Sequence, residues 1–122
     1  MPTILIADDS MFQRFQTSKT AVAAGYDVLE AKDGQECLRI ILEKRPEVLL
    51  LDLNMPALDG LAVMEQLAAE GAIPPRVYVL TADIQDTTRQ RCLDLGAHDC
   101  INKPVDQAVL GNILAEARTS LG

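Results

Sequence analysis

The chain has 122 residues, 48% hydrophobic and 24% charged, which is one domain of ordinary globular sequence and excludes disorder and collagen-like structure. No apolar run approaches the ~20 residues that cross a bilayer, and the opening Met1-Pro2-Thr3-Ile4 has no basic-then-apolar leader. Eighteen acidic residues against eleven basic ones give a net charge of −7, and without a basic cluster this argues against nucleic acid and anionic membrane as partners.

Apolar runs alternate with amphipathic segments along the chain. Ile4–Ala7 reads as a first strand. Met11 to Ala24 follows as a helix, with Phe12, Phe15, Lys19, Val22 and Ala23 near one stripe and Gly25 ending it. Asp27–Ala31 is a second strand. Asp33-Gly34 caps a helix carrying Leu38, Ile41 and Leu42, which Pro46 terminates. Val48–Leu51 is apolar without alternation, the mark of a parallel strand covered on both faces. After a loop over 52–58, Asp59 caps a helix with Leu61, Met64, Leu67 and Ala68 at helical spacing, which stops at Gly71. Val77–Leu80 is a fourth strand, Ile84–Leu95 a fourth helix closed by Gly96, and Asp99–Ile101 a short fifth strand. A last helix carries Leu110, Ile113, Leu114 and Ala117. Five strand–helix alternations predict an α/β fold, a doubly wound parallel sheet. Such sheets bind ligands beyond the carboxyl ends of their strands.

Those ends share a chemistry. The first strand ends in Asp8-Asp9-Ser10, the third in Asp52, the fourth in Thr81-Ala82-Asp83 and the fifth in Asn102-Lys103-Pro104. Alone, an aspartate after a strand is a turn former, a threonine is strand filler and a lysine is solvated surface. Their joint occurrence points to function. Three clustered carboxylates repel one another unless a cation sits among them. An all-oxygen set without His or Cys suits Mg²⁺ rather than zinc. Carboxylate, hydroxyl, ammonium and metal together suit phosphoryl transfer to an aspartate.

These residues carry a resemblance. Asp8-Asp9, Asp52 with Met55-Pro56 and Asp59-Gly60, Thr81-Ala82 and Lys103-Pro104 make the chain similar, over residues 1–122, to the receiver domain of two-component response regulators, of the single-domain chemotaxis-regulator kind. The resemblance implies a five-stranded flavodoxin-like sheet in the order 2-1-3-4-5. It implies Asp52 as phosphoacceptor, with Asp9, Asp52 and the Asn54 carbonyl ligating Mg²⁺ and Asp8 acting on the metal through water. Thr81 would hydrogen-bond the phosphoryl group, and Lys103 would pair with Asp52 and then with a phosphate oxygen. Lys103-Pro104 fits the position of a cis peptide bond. Asn54 and Asp83 match positions that tune phosphate lifetime. The implied partners are a histidine kinase or phosphotransfer protein and a downstream protein. The output surface is expected on the thinly apolar fourth helix with the fifth strand and last helix. One position departs: Cys100 stands where many receivers have Tyr or Phe, which leaves a phosphate sink as an alternative to a switch.

Other classes fit less well. Phosphatases of the haloacid dehalogenase type use Asp-x-Asp after their first strand, a spacing absent from Asp8-Asp9-Ser10. A flavin protein would need aromatics, and these are 3% of the chain. Neither glycine-rich nucleotide motif occurs, so ATP is not the expected donor and the chain is expected to be no enzyme beyond its own phosphorylation and dephosphorylation. His98, a lone loop histidine, receives no role. Cys37, Cys92 and Cys100, odd in number and without C-x-x-C, predict free thiols and a cytoplasmic setting. The end at Gly122 suggests a regulator without an output domain.

Overall fold

Among the residues that the computed structural model describes, 1–55, 59–82 and 86–121, strand and helix alternate throughout. The elements are β1 (Thr3–Ala7), α1 (Met11–Ala23), β2 (Asp27–Ala31), α2 (Gly34–Lys44), β3 (Val48–Asp52), α3 (Gly60–Ala69), β4 (Arg76–Thr81), α4 (Asp86–Leu95), β5 (Asp99–Asn102) and α5 (Gln107–Leu121). The strands form one parallel sheet in the order β2-β1-β3-β4-β5. This is the doubly wound, flavodoxin-like arrangement expected from the alternation and the resemblance. All five residues of β3 are buried, as its unbroken apolar run requires.

The two-residue period of the strands divides the core between the two faces of the sheet. Leu5, Leu49, Leu51, Val77 and Val79 pack under α2, α3 and α4 with Cys37, Ile41, Met64, Leu67 and Cys92. Ile4, Ile6, Val48, Leu50 and Tyr78 pack under α1 and α5 with Ala21, Leu110, Leu114 and Ala117. Tyr26 closes the second layer by donating its hydroxyl to the Leu114 carbonyl at 2.7 Å. Helix starts are set by side-chain caps: Ser10 accepts from the Gln13 N–H, Asp33 from Glu36 and Asp59 from Ala62.

The α1 stripe turns the other way from what its apolar residues suggest. Phe12, Phe15 and Val22 are 69%, 62% and 61% exposed, while Thr17 and Ala21 face the sheet. The small residues let α1 lie close against its neighbours. The α4 stripe is as thin as its sequence implies: Cys92 is the one buried side chain among its described residues, with Thr88 and Leu95 partly covered. Exposed ion pairs, Arg91 to Glu65 and Arg89 to Asp99, connect α4 to α3 and β5; such pairs contribute little. The expected helix start at Ile84 lies outside the described residues. No helix among them is long and apolar enough to cross a membrane.

Candidate functional site

Two neighbouring parallel strands, β1 and β3, deliver three carboxylates to one edge of the sheet because aspartates stand where each of them ends. Asp8 follows β1, and its N–H donates to the Ala31 carbonyl at 3.0 Å. Asp52 is the last residue of β3, opposite Leu80 of β4. Asp8 and Asp52 are buried and Asp9 is exposed. One carboxylate oxygen from each of the three lies within 4.8 Å of the others. Lys103, just after β5, reaches across the edge, and its Nζ donates to Asp52 Oδ2 at 2.7 Å. The Asn54 N–H donates to Asp52 Oδ1 at 2.9 Å, so both acceptor oxygens of Asp52 are oriented. Thr81, buried at the end of β4, pairs with Asn102 of β5, and its carbonyl accepts the Lys103 N–H at 2.9 Å. The Lys103-Pro104 bond is cis, as the resemblance implied. The site residues read from sequence, Asp8, Asp9, Asp52, Asn54, Thr81 and Lys103, therefore stand at one edge. Asp83 lies outside the described residues.

Charge at this edge is only partly balanced. Burial pushes the Asp8 carboxyl above its ordinary value, and the negative charges of Asp52 and Asp9 push it further. The Ser10 N–H and the Lys103 ammonium act the other way. One ammonium among three carboxylates leaves negative charge that a divalent cation would neutralise. The donor set is oxygen alone, which fits Mg²⁺: Asp8, Asp9 and Asp52 could hold the ion, with positions open to water and phosphate.

Two supports were not legible in the sequence. Arg14 of α1 donates from Nη1 to the Asp8 carbonyl at 2.7 Å and from Nε to Glu30 Oε1 at 3.3 Å, fixing the end of β1. Nothing in its helical position signals this. Gly60 brings α3 so close to β3 that an added Cβ would stand 2.7 Å from the Asp52 carbonyl oxygen; the sequence displays the Asp59-Gly60 pair but not the close approach that requires it. A cavity of about 150 Å³ opens beside Asp8 and Lys103, lined by Phe12, Gln16, Thr17 and Pro104. His98 precedes β5 at the opposite edge, edge-on to Tyr78 with ring centroids 5.5 Å apart.

Comparison with known proteins decides the family, since the response regulator receiver domain matches residues 4–115. The chain belongs to the receiver family of two-component signalling. Protein-glutamate methylesterase/protein-glutamine glutaminase 5 of Myxococcus xanthus is 36% identical over 127 residues, covering 98% of this chain and 36% of that protein. The response regulator MprA of Mycolicibacterium vanbaalenii is 39% identical over 118 residues, covering 97% of this chain and 49% of that protein. This receiver thus spans half or less of the length of these relatives. Chemotaxis protein CheY4 of Vibrio cholerae has the same fold with a TM-score of 0.86 at 28% identity, covering 96% of this chain and 98% of that one. A CheX–CheY–BeF3–Mg complex from Borrelia burgdorferi matches with a TM-score of 0.84 at 25% identity, covering 98% of this chain and 87% of that one. Receivers bind Mg²⁺ at an acidic pocket, and this chain has a cluster of acidic side chains, Asp8, Asp9 and Asp52, at the corresponding edge.

Proposed function

We propose that this receiver accepts a phosphoryl group on Asp52 from the phosphohistidine of a kinase or phosphotransfer protein and thereby switches its affinity for a partner protein. The observation that carries the reading is the meeting of three carboxylates within 4.8 Å with the Lys103 ammonium 2.7 Å from Asp52. An Asp52 carboxylate oxygen attacks phosphorus, the phosphorus–nitrogen bond of the donor breaks, and the departing imidazole takes up a proton. Asp8, Asp9 and Asp52 with the Asn54 carbonyl would hold Mg²⁺, which would supply positive charge to the carboxylates and the incoming phosphoryl group. Lys103 leaves Asp52 Oδ2 and pairs with a phosphate oxygen, so its charge follows the developing negative charge. The Asn54 N–H keeps Asp52 Oδ1 oriented throughout, and the Thr81 hydroxyl donates to the phosphoryl group. Free thiols in the described fold support a cytoplasmic setting.

The output face in this reading is α4, β5 and α5, because α4 has one buried side chain among its described residues and segments with few buried apolar contacts open at lower free energy. The crystallised Borrelia complex, with a beryllofluoride-bearing relative beside a second protein, supports a partner that reads the phosphorylated state. A second reading has support from Cys100: with a thiol where receivers carry an aromatic ring, the chain acts as a phosphate sink. Beryllofluoride with Mg²⁺ separates the two by NMR. A switch shifts the amide signals of residues 86–95 together with those around Asp52. A sink confines the shifts to the loops after β1 and β3. Transfer from a phosphohistidine protein to the wild type and none to Asp52→Asn tests the shared chemistry.

A further inference from the structure

We propose that the exposed face of α1 is an interface between two copies of this chain, which pair through their α1 helices, antiparallel, about a two-fold axis. Both phenylalanines of the chain stand on this face: Phe12 and Phe15 are 69% and 62% exposed, with Met11 at 76% and Val22 at 61% beside them. Apolar side chains scattered singly are ordinary on a surface, but a contiguous patch marks an interaction site. Phe12, Phe15, Lys19 and Val22 follow one another at intervals of three, four and three residues, the spacing of a helix–helix seam. The seam lies opposite the side of α1 on which Thr17 and Ala21 are buried, so the fold of a single copy leaves it in water.

That spacing reads the same in either direction, which is what makes a second copy the fitting occupant. An antiparallel copy sets its Val22 opposite Phe12 and its Lys19 opposite Phe15, and the same two layers recur across the axis, as an isologous contact requires. Lys19 Nζ already stands 5.5 Å from the centroid of its own Phe15 ring, within cation–π range. The second copy's ring arrives at the same level and gives the ammonium a second face. A parallel pair would instead oppose Lys19 to Lys19. α1 has no acidic residue, so none of its own side chains brings a carboxylate into the seam, although each copy carries a net charge of −7. Burying the exposed parts of the two rings removes roughly 200–300 Å² per copy. Met11, Val22 and the Lys19 stem extend this area, yet a standard complex takes about 800 Å² from each partner. The pair is therefore weak, with a Kd on the order of 0.1–1 mM, and it forms without ordering any new helix.

The test is sedimentation equilibrium of the full chain from about 20 µM to about 2 mM, a range that brackets the expected Kd. The mean mass should rise from 13.3 kDa towards twice that value. Pairing should tighten with added salt, which screens the repulsion between two copies of charge −7; an acidic helix held by Lys19 would respond the other way. Phe15→Glu puts an unpaired carboxylate in the middle of the seam and should weaken pairing at least about tenfold. Val109→Glu makes the same charge change at a 52% exposed position on α5 and should pair as the wild type does. In a mixture of isotope-labelled and unlabelled copies, NOEs between chains should join the Phe12 ring to the Val22 methyls. A mass that stays at 13.3 kDa at the highest concentration would overturn the proposal and leave the seam to a helix of another protein. Pairing that survives Phe15→Glu, or NOEs between chains that join Phe12 to Phe12, would overturn it as well.

Discussion

Replacing Gly60 by alanine tests how α3 holds the acceptor strand in place. The φ of Gly60 lies outside the left-handed region, so the position needs glycine for space alone. A Cβ there would stand 2.7 Å from the Asp52 carbonyl oxygen, 2.7 Å from Leu53 Cα and 2.9 Å from Leu53 Cδ2. Two of those atoms are backbone, so α3 and the end of β3 must part by at least a few tenths of an ångström. Overpacking of this kind costs about 1–3 kcal/mol. The better helix propensity of alanine returns at most about 1 kcal/mol. The expected net loss is therefore about 1–2 kcal/mol, read as a lower urea midpoint. The displacement falls on the acceptor residue itself. Since a misplacement of about 1 Å costs on the order of 100-fold in rate, Asp52 labelling by acetyl phosphate should slow several-fold. Gly71 is the control: its φ is +63° and no atom lies within 4 Å of an added Cβ. Gly71→Ala should lower stability through backbone strain alone and leave labelling unchanged. A Gly60→Ala protein with the wild-type midpoint and labelling rate would refute the steric account.

Lys103→Met removes the charge-assisted hydrogen bond to a buried carboxylate, so the Mg²⁺-free protein should lose about 1.5–3 kcal/mol. Added Mg²⁺ should restore much of this in urea unfolding and should bind the variant more tightly than the wild type. Tyr26→Phe deletes the hydrogen bond to the Leu114 carbonyl and should cost about 1 kcal/mol near neutral pH. Burial pushes the Tyr26 hydroxyl from 10.0 up to about 12, so its contribution is full below the unfolded value and is lost as pH rises through the folded one. Urea midpoints between these values should fall less steeply for Tyr26→Phe than for the wild type. Asn54→Arg, at an exposed position two residues after the acceptor, should change autodephosphorylation several-fold while leaving phosphorylation possible; equal decay of the labelled proteins would remove Asn54 from the path of water.

Much of the fold was legible because strand chemistry is local. The uninterrupted apolar run of β3 could only be covered on both faces, and the aspartates, threonine and lysine sit where their strands stop. Parallel pairing then brings them to one edge. What the sequence did not disclose depends on distance between elements. Periodicity in α1 gives a face but not its direction: Phe12, Phe15 and Val22 repeat as a core stripe would, yet Thr17 and Ala21 occupy the sheet side because the close packing there admits only small side chains. Arg14 reaches the Asp8 carbonyl from a helix turn that reads as solvent-facing.

The most direct test of the central claim is the intact mass of the protein after incubation with acetyl phosphate and Mg²⁺, followed by site mapping. The account predicts one acid-stable, base-labile phosphate per chain, located on Asp52, absent in Asp52→Asn and absent when EDTA removes the metal. Full labelling in EDTA would contradict the role given to the carboxylate cluster, and a phosphate on any other residue would contradict the assignment of Asp52.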